Sequence, residues 1–172
     1  VAWWAGLRDA QEVNDFRQTL ISDASSVDLL LGGRKDAERA KLREAAAHLP
    51  RISANADVEL SSLPGVVAGL DRLWNRLVWL DADNQVIGMV ARRAPRVASA
   101  TEALRIQSRG QADHFVEPVA AADGRPSGQL LARYDITELL QSTDLAWLTR
   151  RYEVEFLSDL GEIIATTSRP SR

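Results

Sequence analysis

Between Ala5 and Leu31 apolar residues return at spacings of three, four and seven, and this run limits the possible folds more than any other. Leu7, Ala10, Val13, Leu20, Ala24, Val27 and Leu31 make one stripe along a helix, while Arg8, Asp9, Glu12, Asp15, Arg17 and Asp23 take the other faces. Gly32-Gly33 reads as the stop. A helix this long exceeds what a small core needs and suits a stalk, a dimer interface or a spine. The 172 residues leave room for one domain, or one domain and part of another. With 45% hydrophobic and 26% charged residues, the chain has globular rather than disordered composition.

A second helix is expected over Asp36–His48, rich in Ala and ended by Pro50. Ile52–Ser62 reads as an irregular connection. Leu63-Pro64 opens a third helix with Val66, Val67, Leu70 and Leu73 on its inner face. The period changes at Trp74. Arg76–Asp81 reads as a strand, Ala82-Asp83-Asn84 as a turn and Gln85–Arg92 as the returning strand. Pro95–Gly110 is ambiguous, with a short helix possible over Ala98–Ile106. A longer hairpin follows: Asp113–Ala121, a turn over Asp123–Gly128, and Gln129–Asp135. Thr137 is expected to cap an exit helix over Glu138–Leu148.

The first hairpin then recurs. Trp79-Leu80-Asp81-Ala82-Asp83-Asn84-Gln85-Val86-Ile87-Gly88 aligns without a gap on Phe156-Leu157-Ser158-Asp159-Leu160-Gly161-Glu162-Ile163-Ile164-Ala165. Two readings stand side by side. The recurrence is the opening hairpin of a second, truncated unit, or it is a terminal hairpin packed on the first sheet. The first places one unit at 1–142 and the start of another at 143–172.

Several chemistries are disfavoured. There is no cysteine, which removes disulfides, thiolate catalysis and Cys-based zinc sites. Gly32-Gly33 lacks the Lys and Ser/Thr of a phosphate loop, and there is no Gly-x-Ser-x-Gly elbow. The two histidines, His48 and His114, lie in different elements; His48 ends a helix and reads as structural. Asp81 and Asp83 belong to a turn and read as turn hydrogen-bonders. Net charge is −3 without a basic block, so nucleic acid is not expected as a partner. A chain starting at Val1 reads as a processed or excised piece. Its Val1-Ala2-Trp3-Trp4-Ala5-Gly6-Leu7 suits either the interfacial end of a transmembrane helix or, the preferred reading, a helix start packed on a core.

The order helix, helix, hairpin, crossing segment, long hairpin, exit helix resembles a PAS-like sensor domain of the Cache type. Such domains are found outside the membrane in bacterial sensor histidine kinases and chemoreceptors. The residues that carry the likeness are Leu63–Val67, Leu77–Gly88, Phe115–Val119 and Gly128–Ile136. The resemblance implies an α/β (α+β) fold with a PAS-like antiparallel sheet, a helical N-terminal spine and a tandem second unit. It implies a periplasmic position, anchorage to the inner membrane by segments outside this chain, a homodimer through the N-terminal helix, and no cofactor. It also implies a small-molecule ligand, an organic acid or an amino acid, held between the sheet and the crossing segment. The candidate ligand residues there are Arg92, Arg93, Arg105, His114, Tyr134 and Asp135, with Arg96 and Glu117 nearby. An arginine would grip a carboxylate with two parallel hydrogen bonds, and Asp135 would suit an amine. The competing expectations are a solvated face of surface ion pairs, a ligand-free helical scaffold and, more distantly, an extracytoplasmic enzyme.

Overall fold

The computed structural model describes residues 2–49, 56–93, 106–108, 112–143, 145–149, 151–157 and 160–167, with the backbone alone for 2–10, 106–108, 146, 149, 164, 165 and 167. The fold is α+β: a long N-terminal helix and a four-stranded antiparallel sheet.

The first helix, α1, runs unbroken over Ala2–His48 for 47 residues, about 70 Å at 1.5 Å per residue. The expected stop at Gly32-Gly33 is overturned. Glycine in an exposed helix interior costs about 1 kcal/mol relative to alanine, which weakens a helix without ending it. What carries the helix through is phase. Val27 and Leu31 before the glycines share a face with Glu38, Leu42, Ala45 and Leu49 after them, so one helix buries both groups. Arg34 and Lys41 flank the fully buried Glu38 at 3.3 and 2.7 Å and brace the turns beyond the glycines. The C-terminal end falls where expected: His48 closes the helix and its ring hydrogen-bonds the Glu44 carbonyl at 2.8 Å.

The expected irregular connection is also corrected, because Ala56–Ser62 forms α2. Leu60 is its single buried residue. A helix this short has little intrinsic stability. It is held from outside: the Asp57 carboxylate accepts the Met89 backbone N–H of the sheet edge at 2.7 Å. The third helix, α3 (Pro64–Arg72), starts at its proline, buries Val66 and Leu70, and leaves Val67 exposed.

The sheet runs β2-β1-β5-β4, all antiparallel, from β1 (Trp74–Asp81), β2 (Val86–Ala91), β4 (Ala112–Ala120) and β5 (Pro126–Asp135). Register aligns Leu77 with Val90 and Ala132, and Ala132 with Phe115, so alternate residues of all four strands reach one inner face. That face, with Trp74, Leu77, Phe115, Val119, Leu130 and Tyr134, closes the core against Leu42, Ala45, Leu49, Leu60 and Val66. Trp79, on the same face, is only partly buried. On the other face Met89 and Val116 are exposed. In the β1–β2 turn Asn84 takes φ 61° and the Asp81 carboxylate accepts the N–H groups of Asp83 and Gln85, the turn role expected of it. Gly128 lies where β5 passes β1; a Cβ there would run into the Leu80 carbonyl oxygen.

The exit helix is shorter than expected and differently capped. Asp135, not Thr137, is the N-cap of α4 (Ile136–Ser142), accepting the Thr137 N–H at 2.7 Å. The chain then turns at Thr143 and makes a single-turn helix, α5 (Ala146–Thr149). The terminal hairpin, β6 (Glu155–Leu157) and β7 (Ile163–Thr167), is neither alone nor on the first sheet. A strand between the two earlier hairpins, β3 (Ile106–Ser108), pairs with β7 to give a second sheet, β3-β7-β6. A helix over Ala98–Ile106 lies outside the described residues except for Ile106, which is in that strand.

Trp74 is fully buried over Gly69, where any Cβ would overlap the indole ring. Gly69→Ala should therefore destabilise by about 2–3 kcal/mol through overpacking, read from the midpoint of urea unfolding. A variant as stable as the parent would show that the ring has room to move.

Candidate functional site

A cleft of about 470 Å³ opens at the β2 edge, between α3 and the end of that strand. Val67, Leu70 and Val90 make its apolar walls, and Ser61, Asp71, Arg92 and Arg93 supply polar groups. Two of the expected ligand residues thus share it, in different states. The Arg92 guanidinium is committed: Nε donates to the Leu70 carbonyl at 2.8 Å, and Nη1 and Nη2 donate to the two Glu138 carboxylate oxygens at 2.9 Å each. This fork-to-fork pair is part-buried and joins the end of β2 to the first turn of α4. Arg92 is a wall, not a gripping group. Arg93 is exposed and has no ion-pair partner among the described residues.

Tyr134, His114 and Asp135 do not line this cleft. The Tyr134 ring is buried and stacks on Phe115 with centroids 4.4 Å apart, and its hydroxyl donates to Asp113 at 3.0 Å. Burial first, and then the Asp113 carboxylate, hold that phenol protonated far above its ordinary range. His114 is exposed beside Asp113, and Asp135 is occupied in capping α4. Arg105 and Arg96 lie outside the described residues. Glu117 pairs with Arg43 at 3.0 Å.

Sequence reasoning missed Asp71, Ser61 and Glu138. Asp71 and Ser61 sit near the ends of short helices, where a polar residue is unremarkable. Glu138 is 46 residues from Arg92, and no local pattern marks such a pair.

A second cleft, about 350 Å³, lies between the middle of α1 and the chain leading into β6. Leu20, Ala24, Val27, Leu148, Val154 and Phe156 line it. At its edge the Tyr152 hydroxyl donates to Asp23 at 2.9 Å, and Arg151 lies 3.8 Å from the same carboxylate. The hydrogen bond to Asp23 is the main reason the Tyr152 phenol stays protonated above its ordinary range.

Among the described residues no group of three or more His, Asp or Glu is placed to hold a metal ion, and no helix is long and apolar enough to cross a membrane. Comparison with protein-family models, with curated proteins and with solved structures finds no match to this chain.

The two arginines should behave oppositely on substitution. Arg92→Ala leaves Glu138 and the Leu70 carbonyl without a partner and should cost about 2–3 kcal/mol, whereas Arg93→Ala should stay within about 0.5 kcal/mol of the parent. Urea unfolding of both variants measures this. Equal losses would contradict the assignment of Arg92 as a wall.

Proposed function

We propose that this chain is the ligand-sensing part of a bacterial membrane receptor of the sensor histidine kinase type, set on the outer side of the inner membrane. In this reading the chain binds rather than catalyses, and the output reaction belongs to a module outside it. The observation that carries the proposal is the cleft at the β2 edge. It offers one guanidinium without an ion-pair partner among the described residues, Arg93, beside apolar walls and a second guanidinium locked in place by Glu138. A guanidinium at the rim of a concave, mostly apolar site suits a small carboxylate. Asp71 on the same cleft adds an acceptor for an ammonium group, which favours an amino acid over a simple acid. Behind the reading stands the order of described elements, a long helix, a hairpin, a longer hairpin and a short exit helix.

The long helix supports the second part of the proposal, a homodimer. Val13, Phe16 and Leu20 are 61%, 59% and 43% exposed and stand at heptad spacing on one face. In a parallel pair with these residues in the seam, Glu12 of one copy faces Arg17 of the other, the spacing of interhelical ion pairs. Membrane anchorage would confine the partners, so the free chain need associate only weakly.

A thermal-shift screen of carboxylates, amino acids and amines tests the binding. By mass action a ligand at 100 times its Kd stabilises by about 2.7 kcal/mol, worth about 5–10 °C in a domain of this size. Arg93→Ala should abolish the shift and leave the unliganded Tm unchanged. No shift across the screen, on protein shown free of carried-over ligand, would favour the ligand-free scaffold instead. Sedimentation at rising concentration tests the dimer: association should be measurable at high micromolar and lost in Phe16→Asp. A parent protein that stays strictly monomeric there would remove the dimer from the proposal.

A further inference from the structure

The geometry points to a joint at Gly32-Gly33, where α1 opens locally between a C-terminal half packed on the four-stranded sheet and an N-terminal half held by Tyr152 and Phe156. The joint itself stands whether or not the cleft takes a ligand; its use in transmitting a signal rests on the sensing reading.

Glycine inside a helix normally has a packing reason. A neighbouring backbone or ring comes too close for a Cβ, as Trp74 does at Gly69. At Gly32 and Gly33 that reason is missing: an added Cβ would meet nothing within 4 Å at either position. Both residues are helical and exposed, as are Leu29 and Leu30 before them; Leu31 alone in this turn is half-buried. The turn is therefore poorly packed and also holds the two residues with the lowest helix propensity short of proline. Local opening concentrates where few buried contacts oppose it.

The flanks of the turn are held by different parts of the molecule. Beyond it, Glu38 is fully buried between Arg34 and Lys41, and the next turns belong to the main core against the four-stranded sheet. Before it, Asp23 is held by Tyr152 and Arg151, and Val27 and Leu31 pack on the small cluster of Leu140, Leu145 and Phe156. Phe156 lies on β6, β6 pairs with β7, and β7 pairs with β3. The N-terminal half of α1 is thus tied through Tyr152 and Phe156 to the second sheet. The glycines let that half turn without dragging Leu42 and Ala45 out of the core.

Amide hydrogen exchange on the unliganded chain tests the joint. Amides of residues 33–37, whose hydrogen bonds cross the glycine pair, should exchange at least about tenfold faster than those of 41–45. In the Gly32→Ala/Gly33→Ala variant they should slow by on the order of tenfold, and Tm should rise. Tyr152→Phe should speed exchange at 20–27 and leave β1 and β5 unchanged. Uniform protection across the pair in the parent would overturn the joint, as would a double-alanine variant that melts lower or does not fold, since the glycines would then be needed by packing. A Tyr152→Phe effect spread equally over both sheets would show that the two parts move as one. Because no ligand is used, failure here is distinct from a negative ligand screen, which bears only on the sensing reading.

Discussion

The fold depends on one continuous contact, the face of α1 that runs in phase from Val27 to Leu49. Its lower turns cover the sheet through Leu42, Ala45 and Leu49, and its middle turns cover the terminal segment through Val27 and Leu31. A sheet with one open face and a hairpin too short to stand alone are both marginal. The helix supplies each with its apolar cover, and in return they hold a helix whose own sequence includes two adjacent glycines. Glu38 interrupts this face with a buried charge, tolerable because Arg34 and Lys41 lie within ion-pair distance of it.

Polar ties then decide where space is left. The Arg92–Glu138 fork fixes the end of β2 to the start of α4, so the wall of the larger cleft is rigid on that side. The Asp57–Met89 bond seats α2 on the opposite rim. Between these fixed points Arg93 and Asp71 stand as charges of opposite sign with no ion-pair partner among the described residues. The smaller cleft is bounded by the ties of Tyr152 and Arg151 to Asp23 and is set against the exposed stretch of α1.

Elements governed by local chemistry were legible from the sequence. Both hairpins of the main sheet follow from apolar runs broken by turn residues such as Asp81 and Asn84, whose side-chain and backbone preferences act within four residues. Pro64 announced its helix for the same reason. What failed was whatever depended on distant partners. Gly32-Gly33 punctuates a helix only if the chain turns left-handed there, and the shared face of α1 prevents that. Helix α2 exists through a bond to residue 89, and β3 through pairing with β7 some sixty residues on. The candidate site divides in the same way. Arg92 and Arg93 look alike in the sequence; a glutamate 46 residues away makes Arg92 structural, while Arg93 has no ion-pair partner among the described residues. Tyr134 and Asp135, adjacent to each other, are taken up by stacking and capping.

Gly128 has a wider consequence. Its backbone sits against the Leu80 carbonyl where three strands meet, paired with Asp81 on one side and Val119 on the other. No other residue fits without parting β1 from β5, and a one-residue slip there would invert the faces of the whole hairpin. This position therefore admits a single amino acid. The facing of the whole long hairpin thus hangs on one absent side chain, where β5 is pinned to β1 by backbone alone.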